Sequence, residues 1–483
     1  MTRIAALLDE LSRLDLLVSA PPDPPEITGI SADSRSLHPG MAYVAVRGSQ
    51  VDGHQFVGGA ATRGAALLVV EQGVDLPLPQ VVVRDGRLSA IALARAWYGD
   101  PASALTLIGV TGTNGKTTTV GLIRHLLDAE QQAGSIGTLG AFDGTGESVP
   151  STAGSLTTPG PVDLQATLAA LRDRGCRVVA METSSHSLDQ GRLDGLTFRA
   201  GVFTNLTRDH LDYHRTMESY LAAKLRLLGL LGQDGIAVVN ADDPAWKVIP
   251  AGANKLTFGV APAADVRAEG LALDARGSRF RLASPSGSAD IALPLLGDFN
   301  LSNALAAGAA GLALGLTVET VASRLSAAPQ VPGRMERIAD APCVVLRDYA
   351  HTPDALERAL ATLRPLTAGR LIVVFGCGGD RDRGKRPIMG RIAAERADLP
   401  IVSSDNPRTE DPERIIDDVE AGMGSGPRIR LADRRAAIRR ALEEAAPGDT
   451  VLLAGKGHET YQVVGTEKLP FDERSIVREF FGA

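Results

Sequence analysis

Residues Leu105–Thr119, LTLIGVTGTNGKTTT, give the clearest structural signal in this chain. Its apolar beginning is typical of a buried strand, a tight glycine-containing turn follows, and the pattern Val120–Leu127 predicts a helix. Gly112 and Gly115 have no Cβ, so the backbone can approach phosphate oxygens closely there. A helix start adds unpaired N–H groups and a positive dipole end. A strand, glycine loop and helix in this order predict a binding site for a nucleoside triphosphate.

The loop fits the short pattern G-x-x-G-K-T, which runs from Gly112 to Thr117. The longer pattern G-x-x-x-x-G-K-[ST] requires glycine where this chain has Val110. We expect Lys116 to contact the outer phosphates and Thr117 to offer its hydroxyl to Mg²⁺. The alternative is a chance Gly-Lys-Thr in an ordinary turn, and the flanking strand and helix favour the phosphate loop.

Length and composition limit the class of protein. A chain of 483 residues is too long for one hydrophobic core, so three domains are expected. The net charge of −7, without a lysine- or arginine-rich stripe, argues against a nucleic-acid partner. The three cysteines, Cys176, Cys343 and Cys377, form no metal pattern, which fits a reducing cytoplasm.

Two segments raise the question of targeting or membrane insertion. Residues 1–17 include acidic side chains and predict an amphipathic helix rather than a signal peptide. The uncharged segment Phe299–Val318 is mostly alanine and glycine and includes asparagine and serine. It predicts a buried helix of a soluble protein rather than a membrane span.

Turn clusters divide the chain. Tyr98-Gly99-Asp100-Pro101 predicts a boundary near residue 102, and Pro329–Gly333 predicts a second linker. Between them strands and helices alternate, which predicts an α/β domain with a mainly parallel sheet and a β-rich section at 255–295. A β-like region precedes it and a second, smaller α/β domain follows. The expected domains are therefore residues 1–102, 103–332 and 333–483.

Polar clusters follow several strands, at the edge where open α/β sheets bind ligands. Glu182 comes directly after an apolar strand and suits Mg²⁺, either directly or through water. Its alternative role is that of a helix-capping acid. His210 and His214 have the i, i+4 spacing of zinc ligands, but no HExxH glutamate or cysteine pair accompanies them. The pattern favours a magnesium-linked or substrate-positioning role for His210.

Lys224 lies on an apolar helix face, four residues after Tyr220 and four before Leu228. Such a lysine either extends its stem toward water or has a function that depends on an altered pKa. The sequence leaves both interpretations open.

The third region has its own strand-end clusters. Gly376–Arg381 contains glycines that suit close approach of a ligand, and Ser404–Arg408 brings an arginine beside an aspartate and an asparagine. A guanidinium binds a carboxylate with two hydrogen bonds, so this cluster could hold a small zwitterion. The last strand ends in Gly455–Glu459.

In this order, the clusters resemble the Mur ligase family of ATP-dependent peptidoglycan precursor ligases. The matching stretches are GTNGKTTT, METSSH, TNLTRDHLDYH, YLAAK, GDFNLSNALAA, PGRMER, RDYAHTPDAL, FGCGGDRDRGKRP, SDNPRTEDP and AGKGHETYQ. The resemblance implies three domains: a small N-terminal α/β domain that binds a UDP-sugar, a central P-loop ATPase, and a Rossmann-like C-terminal domain that closes over the nucleotide. It also implies a monomer in the cytoplasm.

The resemblance assigns an expected reaction. Asp405-Asn406-Pro407-Arg408 looks like the family signature for adding meso-diaminopimelate to UDP-N-acetylmuramoyl-L-alanyl-D-glutamate (UDP-MurNAc-L-Ala-D-Glu). Lysine-adding relatives differ at the arginine. ATP would phosphorylate the D-glutamate carboxylate, and the amine would displace phosphate from the acyl phosphate.

The resemblance also implies roles for individual residues. The expected ATP contacts are Gly112, Thr113, Asn114, Gly115, Lys116, Thr117, Thr118, Asn303, Arg334 and Asp348. The expected Mg²⁺ ligands are Thr117, Glu182, His210 and Lys224, the last as a carbamate. The expected catalytic residues are Lys116, Glu182, His210 and Lys224. The expected muramoyl-dipeptide contacts are Ser34, Thr157, Thr158, Ser184, Gln190 and Arg192. The expected diaminopimelate contacts are Arg381, Asp405, Asn406, Pro407, Arg408, Gly455 and Glu459.

One position departs from the family pattern, since Leu156 stands where some relatives have a polar residue. Two other functions stay open. One is a family member that adds lysine, a D-Ala-D-Ala dipeptide or polyglutamate, and the other is a nucleotide-binding switch without ligase activity. The strand-end clusters of the third region argue against a switch, which needs no amino-acid pocket.

Overall fold

The computed structural model describes residues 3–48, 51–150 and 156–482. The fold is α/β with three sheet-rich regions. Contacts divide the chain into two compact units, one of residues 1–269, 282–289 and 302–325 and one of residues 270–281, 290–301 and 326–483. The exact domain boundaries remain predictions.

The helices of the described residues alternate with strands along most of the chain, as expected. They are α1 Arg3–Arg13, α2 Val57–Thr62, α3 Gly86–Tyr98, α4 Lys116–Leu127, α5 Pro161–Asp173, α6 Ser185–Asp189, α7 Leu211–His214, α8 Met217–Leu225, α9 Asp298–Ala313, α10 Val318–Ser326, α11 Pro353–Leu363, α12 Lys385–Arg396, α13 Pro412–Glu420, α14 Arg434–Glu444 and α15 Glu473–Phe481.

The first sheet is small and mostly parallel. Its strands are β1 Leu17–Ser19, β2 Ile30–Ser31, β3 Ala42–Val44, β4 Leu67–Val70 and β5 Gln80–Val83. Their order is β1-β5-β4-β3-β2, with β1 antiparallel to β5. Helix α1 buries Ile4, Leu7 and Leu11 in the core of this sheet, so the predicted amphipathic helix is confirmed.

The second sheet carries the phosphate loop. Its strands are β6 Thr106–Thr111, β7 Ala133–Gly137, β8 Gly140–Phe142, β9 Ser148–Val149, β10 Val178–Glu182, β11 Phe198–Phe203, β12 Leu231–Asn240, β13 Lys255–Gly259, β14 Val266–Asp274, β15 Gly277–Ser284 and β16 Gly287–Leu293. The order is β16-β15-β14-β13-β12-β11-β6-β10-β7-β8-β9. Strand β6 pairs in parallel with β10 and β11, so the carboxyl ends of all three meet at one edge.

The third sheet follows the second linker. Its strands are β17 Glu336–Ala339, β18 Val344–Asp348, β19 Leu371–Phe375, β20 Leu399–Val402, β21 Ile429–Arg430 and β22 Thr450–Ala454. They lie in the order β17-β18-β22-β19-β20-β21, and all pairs after β17 are parallel. A separate antiparallel hairpin follows, with strands β23 Tyr461–Val464 and β24 Glu467–Pro470.

The uncharged segment Phe299–Val318 forms most of α9, where Leu301 and the alanines from Ala304 to Ala310 are buried. The prediction of a buried helix is confirmed. Among the described residues we find no helix with the length and hydropathy that spanning a membrane requires.

Candidate functional sites

The phosphate loop connects β6 to α4. Gly112 and Gly115 have φ values of +150° and +84°, which favour glycine. A Cβ at Gly112 would lie 1.9 Å from Thr204 Oγ1, and one at Gly115 would lie 2.2 Å from Asn303 Oδ1. Both glycines are therefore required by backbone conformation and by space.

Two lysine side chains donate hydrogen bonds to backbone carbonyl oxygens of this loop. Lys116 Nζ donates to the Gly112 and Thr113 oxygens at 3.0 and 2.8 Å. Lys224 Nζ donates to the same Gly112 oxygen at 2.7 Å. The two side-chain nitrogens therefore meet at one backbone oxygen, where a triphosphate would supply negative charge.

Glu182, at the end of β10, lies beside the start of α4. Thr117 Oγ1 donates to Glu182 Oε1 at 2.9 Å. The Thr138 N–H and hydroxyl donate to Oε1 and Oε2 of Glu182 at 2.8 and 3.2 Å. Glu182 is only 1% exposed, so these hydrogen bonds fix a buried carboxylate. Thr117 and Glu182, both predicted magnesium ligands, therefore lie within hydrogen-bond distance of each other.

These oxygens fit a magnesium ion. Mg²⁺ binds through one or two protein oxygens and completes its shell with water and phosphate oxygens, so a threonine hydroxyl and a carboxylate suffice. Among the described residues there is no group of three or more His, Cys, Asp or Glu that could hold a metal by itself. The donor set therefore suits a metal that arrives with a nucleotide.

Lys224 is buried in α8, with 1% exposure. Its Nζ lies 4.3 Å from the centre of the Tyr220 ring. Burial, with the nearby charge of Lys116, holds the pKa of Lys224 well below its usual value. Of the two interpretations of this lysine, burial excludes extension toward water, and a buried amine with a lowered pKa at the phosphate loop remains.

Three imidazoles lie next to this lysine. The ring centre of His186 is 4.8 Å from that of His210 and 5.4 Å from that of His214. Burial and the neighbouring imidazoles lower the pKa of His186 to about 4, and burial also lowers the pKa of His210. His214 Nε2 is 3.0 Å from Ser185 Oγ. At neutral pH His186 is therefore an uncharged donor and acceptor.

A cleft of about 250 Å³ opens between the phosphate loop and α6. Its lining includes Lys116, Leu156, Thr157, Thr158, Ser184, Ser185, His186, Arg192, His210, Tyr220 and Lys224. Lys116, from the predicted triphosphate contacts, thus shares one cavity with four of the predicted dipeptide contacts, namely Thr157, Thr158, Ser184 and Arg192.

The predicted dipeptide contacts form a connected group. Thr158 Oγ1 donates to Ser184 Oγ at 3.3 Å, and Arg192 donates to the Thr158 carbonyl at 3.1 Å. Arg192 Nε also donates to Gln190 Oε1 at 2.9 Å. Ser34 lies apart from these residues along the chain, in a short turn after β2 that Asp33 caps.

The predicted amino-acid contacts gather in the other unit, at the carboxyl ends of β19, β20 and β22. Asn406 Nδ2 donates to Glu459 Oε2 at 2.9 Å. Arg408 donates to the Gly379 carbonyl at 2.7 Å. A Cβ at Gly378 would lie 2.9 Å from Arg408 Nη1 and 3.7 Å from Arg381 Cγ, so both arginines pass the glycine-rich turn. A Cβ at Gly455 would lie 3.1 Å from Asp405 Oδ2.

The predicted nucleotide contacts are divided between the units. Asn303 lies beside the phosphate loop, with Oδ1 at 3.4 Å from Thr119 Oγ1. In the other unit the Arg334 guanidinium lies 4.8 Å from the Tyr349 ring centre. Met335 N donates to Asp348 Oδ2 at 2.6 Å, and desolvation raises the pKa of Asp348.

Sequence reasoning missed three residues of these sites. Thr138 follows β7, whose small residues Ala133–Gly137 hid the strand. Tyr220 appears in the sequence only as an apolar helix position, yet its hydroxyl lies 3.2 Å from Thr113 Oγ1. Lys456 lies fully buried against the Asn406 and Glu459 side chains. The strand-end position of Lys456 was visible in the sequence, but its inward direction was not.

The fold and the first site define a P-loop nucleotide-binding α/β protein. Family models match three segments: the Mur ligase family catalytic domain at residues 26–94, the Mur ligase middle domain at 110–311, and the Mur ligase glutamate ligase domain at 333–457. The chain belongs to the Mur ligase family.

Individual relatives agree with this placement. The UDP-N-acetylmuramoyl-L-alanyl-D-glutamate--2,6-diaminopimelate ligase of Gloeobacter violaceus is 48% identical over 94% of each chain. The protein of the same name from Geobacillus kaustophilus is 45% identical, again over 94% of each chain. A solved structure of a ligase of this name has a TM-score of 0.66 at 36% identity and covers 94% of this chain and 95% of its own.

Proposed function

We propose that this chain is an ATP-dependent ligase that joins meso-diaminopimelate to the D-glutamate of UDP-MurNAc-L-Ala-D-Glu, a step in the synthesis of cytoplasmic peptidoglycan precursors. The observation that carries the proposal is the 48% identity, over 94% of each chain, to a ligase named for these substrates. The geometry of the two candidate sites supports it residue by residue.

The first site would bind the triphosphate of ATP and its Mg²⁺. Lys116 leaves the loop carbonyls for the outer phosphates, and the α4 N-terminus presents its N–H groups to them. Thr117 and Glu182 would hold Mg²⁺, with His210 and the modified Lys224 as further ligands. When bound, the metal neutralises charge on the phosphoryl oxygens.

The chemistry passes through an acyl phosphate. A D-glutamate carboxylate oxygen attacks the γ-phosphorus of ATP, and ADP leaves. The amine nitrogen then attacks the acyl carbon, loses a proton, and inorganic phosphate leaves. The cleft that contains Lys116, Thr158 and Arg192 supports this sequence because it brings phosphate-binding and carboxylate-binding groups together. Catalysis is then mainly positioning and charge stabilisation.

We propose that the buried Lys224 is carbamylated. A neutral amine attacks CO₂, and the burial that lowers the pKa of Lys224 favours this neutral form. The product is an anionic carbamate beside the loop. ¹³C NMR of enzyme prepared in ¹³C-bicarbonate should show a carbamate signal, and Lys224→Ala should lose both the signal and most of the activity.

The second site would recognise diaminopimelate by its charges. Arg408 suits one carboxylate, and the carboxylates of Asp405 and Glu459 suit an ammonium group. Lysine lacks the second α-carboxylate, so it would leave the guanidinium unpaired, a large penalty in a site built for pairing.

The test is ADP formation with UDP-MurNAc-L-Ala-D-Glu, with and without meso-diaminopimelate. L-lysine and D-Ala-D-Ala serve as matched amines in the same assay. We expect turnover that depends on meso-diaminopimelate. Equal turnover with L-lysine would identify a different member of the family, and nucleotide binding without amine-dependent turnover would identify a switch.

A further inference from the structure

Lys456 is a fully buried lysine that the proposed reaction does not use. It follows β22 after Gly455, and its side chain is 0% exposed. Its Nζ lies 3.0 Å from Asn406 Oδ1, 3.1 Å from Glu459 Oε2 and 3.5 Å from Asp405 Oδ1. An ammonium carries three hydrogens, so three oxygens satisfy it. All three belong to predicted diaminopimelate contacts.

The contact with Asn406 fixes the orientation of that amide. A lysine ammonium can only donate, and so can the Val463 N–H, which lies 2.9 Å from Asn406 Oδ1. Both neighbours therefore require the Asn406 oxygen on their side, and the amide NH₂ faces Glu459 Oε2. Glu459 takes one of the two Nδ2 hydrogens, and a carboxylate of the amino acid can accept the other.

The same ammonium sets the charge of the site. Asp405 and Glu459 together contribute two negative charges in a nearly enclosed space, where unbalanced charge is costly. With Lys456 the three side chains sum to one negative charge. A single substrate ammonium matches that charge, while Arg408 remains for a carboxylate.

We propose that Lys456 is a positioning residue of the diaminopimelate site, which holds the Asn406 amide with its NH₂ as the donor and leaves one net negative charge for the substrate ammonium. The inference rests on the proposed function and goes beyond it, because Lys456 acts through Asn406, Asp405 and Glu459 rather than on the reacting atoms.

The test compares apparent KM values in the full-length enzyme. Lys456→Met removes the charge and all three donors but keeps a long apolar stem. We expect it to raise the KM for meso-diaminopimelate about tenfold or more, as for the loss of a charged hydrogen bond, and to change the KM for ATP less than about twofold. Lys456→Gln keeps a donor for the Asn406 oxygen, so its KM for meso-diaminopimelate should lie between those of the wild type and Lys456→Met. If Lys456→Met does not fold, a KM of Lys456→Gln for meso-diaminopimelate above that of the wild type supports the proposal, and an unchanged KM overturns it.

Coupling to Asn406 distinguishes positioning from general stability. If Lys456 acts through Asn406, the double variant Lys456→Met/Asn406→Ala should have a KM for meso-diaminopimelate within about threefold of the worse single variant. Multiplicative effects would overturn the proposal.

Arg370→Met is a matched control. Arg370 pairs with buried Asp449 at the amino ends of β19 and β22, the opposite edge of the sheet. It should lower the melting temperature and leave the KM for meso-diaminopimelate unchanged. An unchanged KM in Lys456→Met, with wild-type enzyme that uses meso-diaminopimelate, would show that Lys456 is only structural. If the wild type does not use meso-diaminopimelate at all, the proposed function itself fails.

Discussion

Arg408 has a φ of +52°, a conformation that costs a non-glycine residue roughly 1 kcal/mol or more. Its backbone is held there by the hairpin: its N–H donates to the Val463 oxygen at 3.1 Å, and the Gly465 N–H donates to its carbonyl at 2.7 Å. His210 and Asp380 also have positive φ values, near 53°. Of the nine non-glycine residues with positive φ in the described part of the chain, two, His210 and Arg408, are predicted site residues.

Replacement of Arg408 by alanine should affect one substrate selectively. A charged hydrogen bond contributes about 1.5 to 3 kcal/mol, so we expect the apparent KM for meso-diaminopimelate to rise between about 10- and 100-fold. The KM for ATP should change far less. Arg430→Ala, at an arginine that pairs with Glu413 and Asp417 on α13, is the control and should change neither. Equal effects of Arg408→Ala on both substrates would remove Arg408 from the amino-acid site.

His458 predicts a loss of stability in mild acid. Burial lowers its pKa from 6.5 to about 4, so between these pH values the folded state binds fewer protons than the unfolded state. The contribution is fully present above pH 6.5 and is lost as the pH falls toward 4. For a partly exposed side chain we expect roughly 1 to 2 kcal/mol.

Urea unfolding of the wild type and of His458→Gln at pH 7 and pH 5 measures this effect. The variant should lose less stability on acidification than the wild type. His38→Gln changes an exposed side chain and is the control. The same acid loss in His458→Gln and the wild type would contradict the prediction.

The phosphate loop between β6 and α4 has no room for a side chain at Gly115. Gly115→Ala would place a Cβ 2.2 Å from Asn303 Oδ1 at a φ of +84°. We expect the KM for ATP to rise at least about tenfold or the activity to disappear, because the loop must move to accept the methyl group.

The control is a glycine with room around it. Gly59 lies in helix α2, and a Cβ on its backbone would meet no atom outside its own helix turn within 4 Å. Gly59→Ala should keep full activity and stabilise the protein by about 0.5 to 1 kcal/mol, since alanine is the better helix former. Equal activity of the two alanine variants would show that the loop does not need its glycine.

The strands show which elements a sequence reveals. Runs of branched apolar residues predict strands at Gln80–Val83 and Leu371–Phe375, and the structure has strands with these bounds. Strand β7, Ala133–Gly137, was not predicted, because small residues give no periodic signal. Because the sequence does not indicate this strand, it also does not indicate Thr138, which follows the strand and donates a hydrogen bond to Glu182. The apolar run that begins at Gly201 also predicts a strand, and in the structure this strand, β11, begins three residues earlier, at Phe198.

The three cysteines are all buried, and they are distributed over both compact units, so their accessibility can follow the unfolding of each unit. Cys176 lies in the unit of the phosphate loop, and Cys343 and Cys377 lie in the other. Burial raises the pKa of all three thiols, that of Cys377 to about 11.

Thiol labelling should therefore follow unfolding. We expect negligible reaction in the absence of denaturant, since both access and thiolate formation are suppressed. In a urea titration Cys343 and Cys377 should become reactive together, and Cys176 should report separately on the other unit. Mass spectrometry of labelled peptides measures each site. Rapid labelling of the native protein at any of them would contradict the burial.

Alternating strands and helices predict the parallel sheets, and the strand-end clusters indicate Glu182 and Ser404–Arg408, because parallel strands place their carboxyl ends at one edge. The expected roles of other residues, such as Ser34 and Asn303, come from the resemblance to the Mur ligase family. The inward direction of Lys456 could not be predicted, because it depends on the side-chain oxygens of Asp405 and Asn406, which lie 51 and 50 residues earlier in the chain. The closure of the C-terminal domain over the nucleotide stays a prediction.

The Gly112 carbonyl oxygen has two donors, and this has a consequence for repeated turnover. When Lys116 leaves it for an arriving phosphate, Lys224 still satisfies the oxygen. A carbamylated nitrogen retains one hydrogen, so modification preserves that bond. The Gly112 carbonyl therefore keeps a hydrogen-bond donor throughout each catalytic cycle. The phosphate loop can then have the same backbone conformation with and without nucleotide.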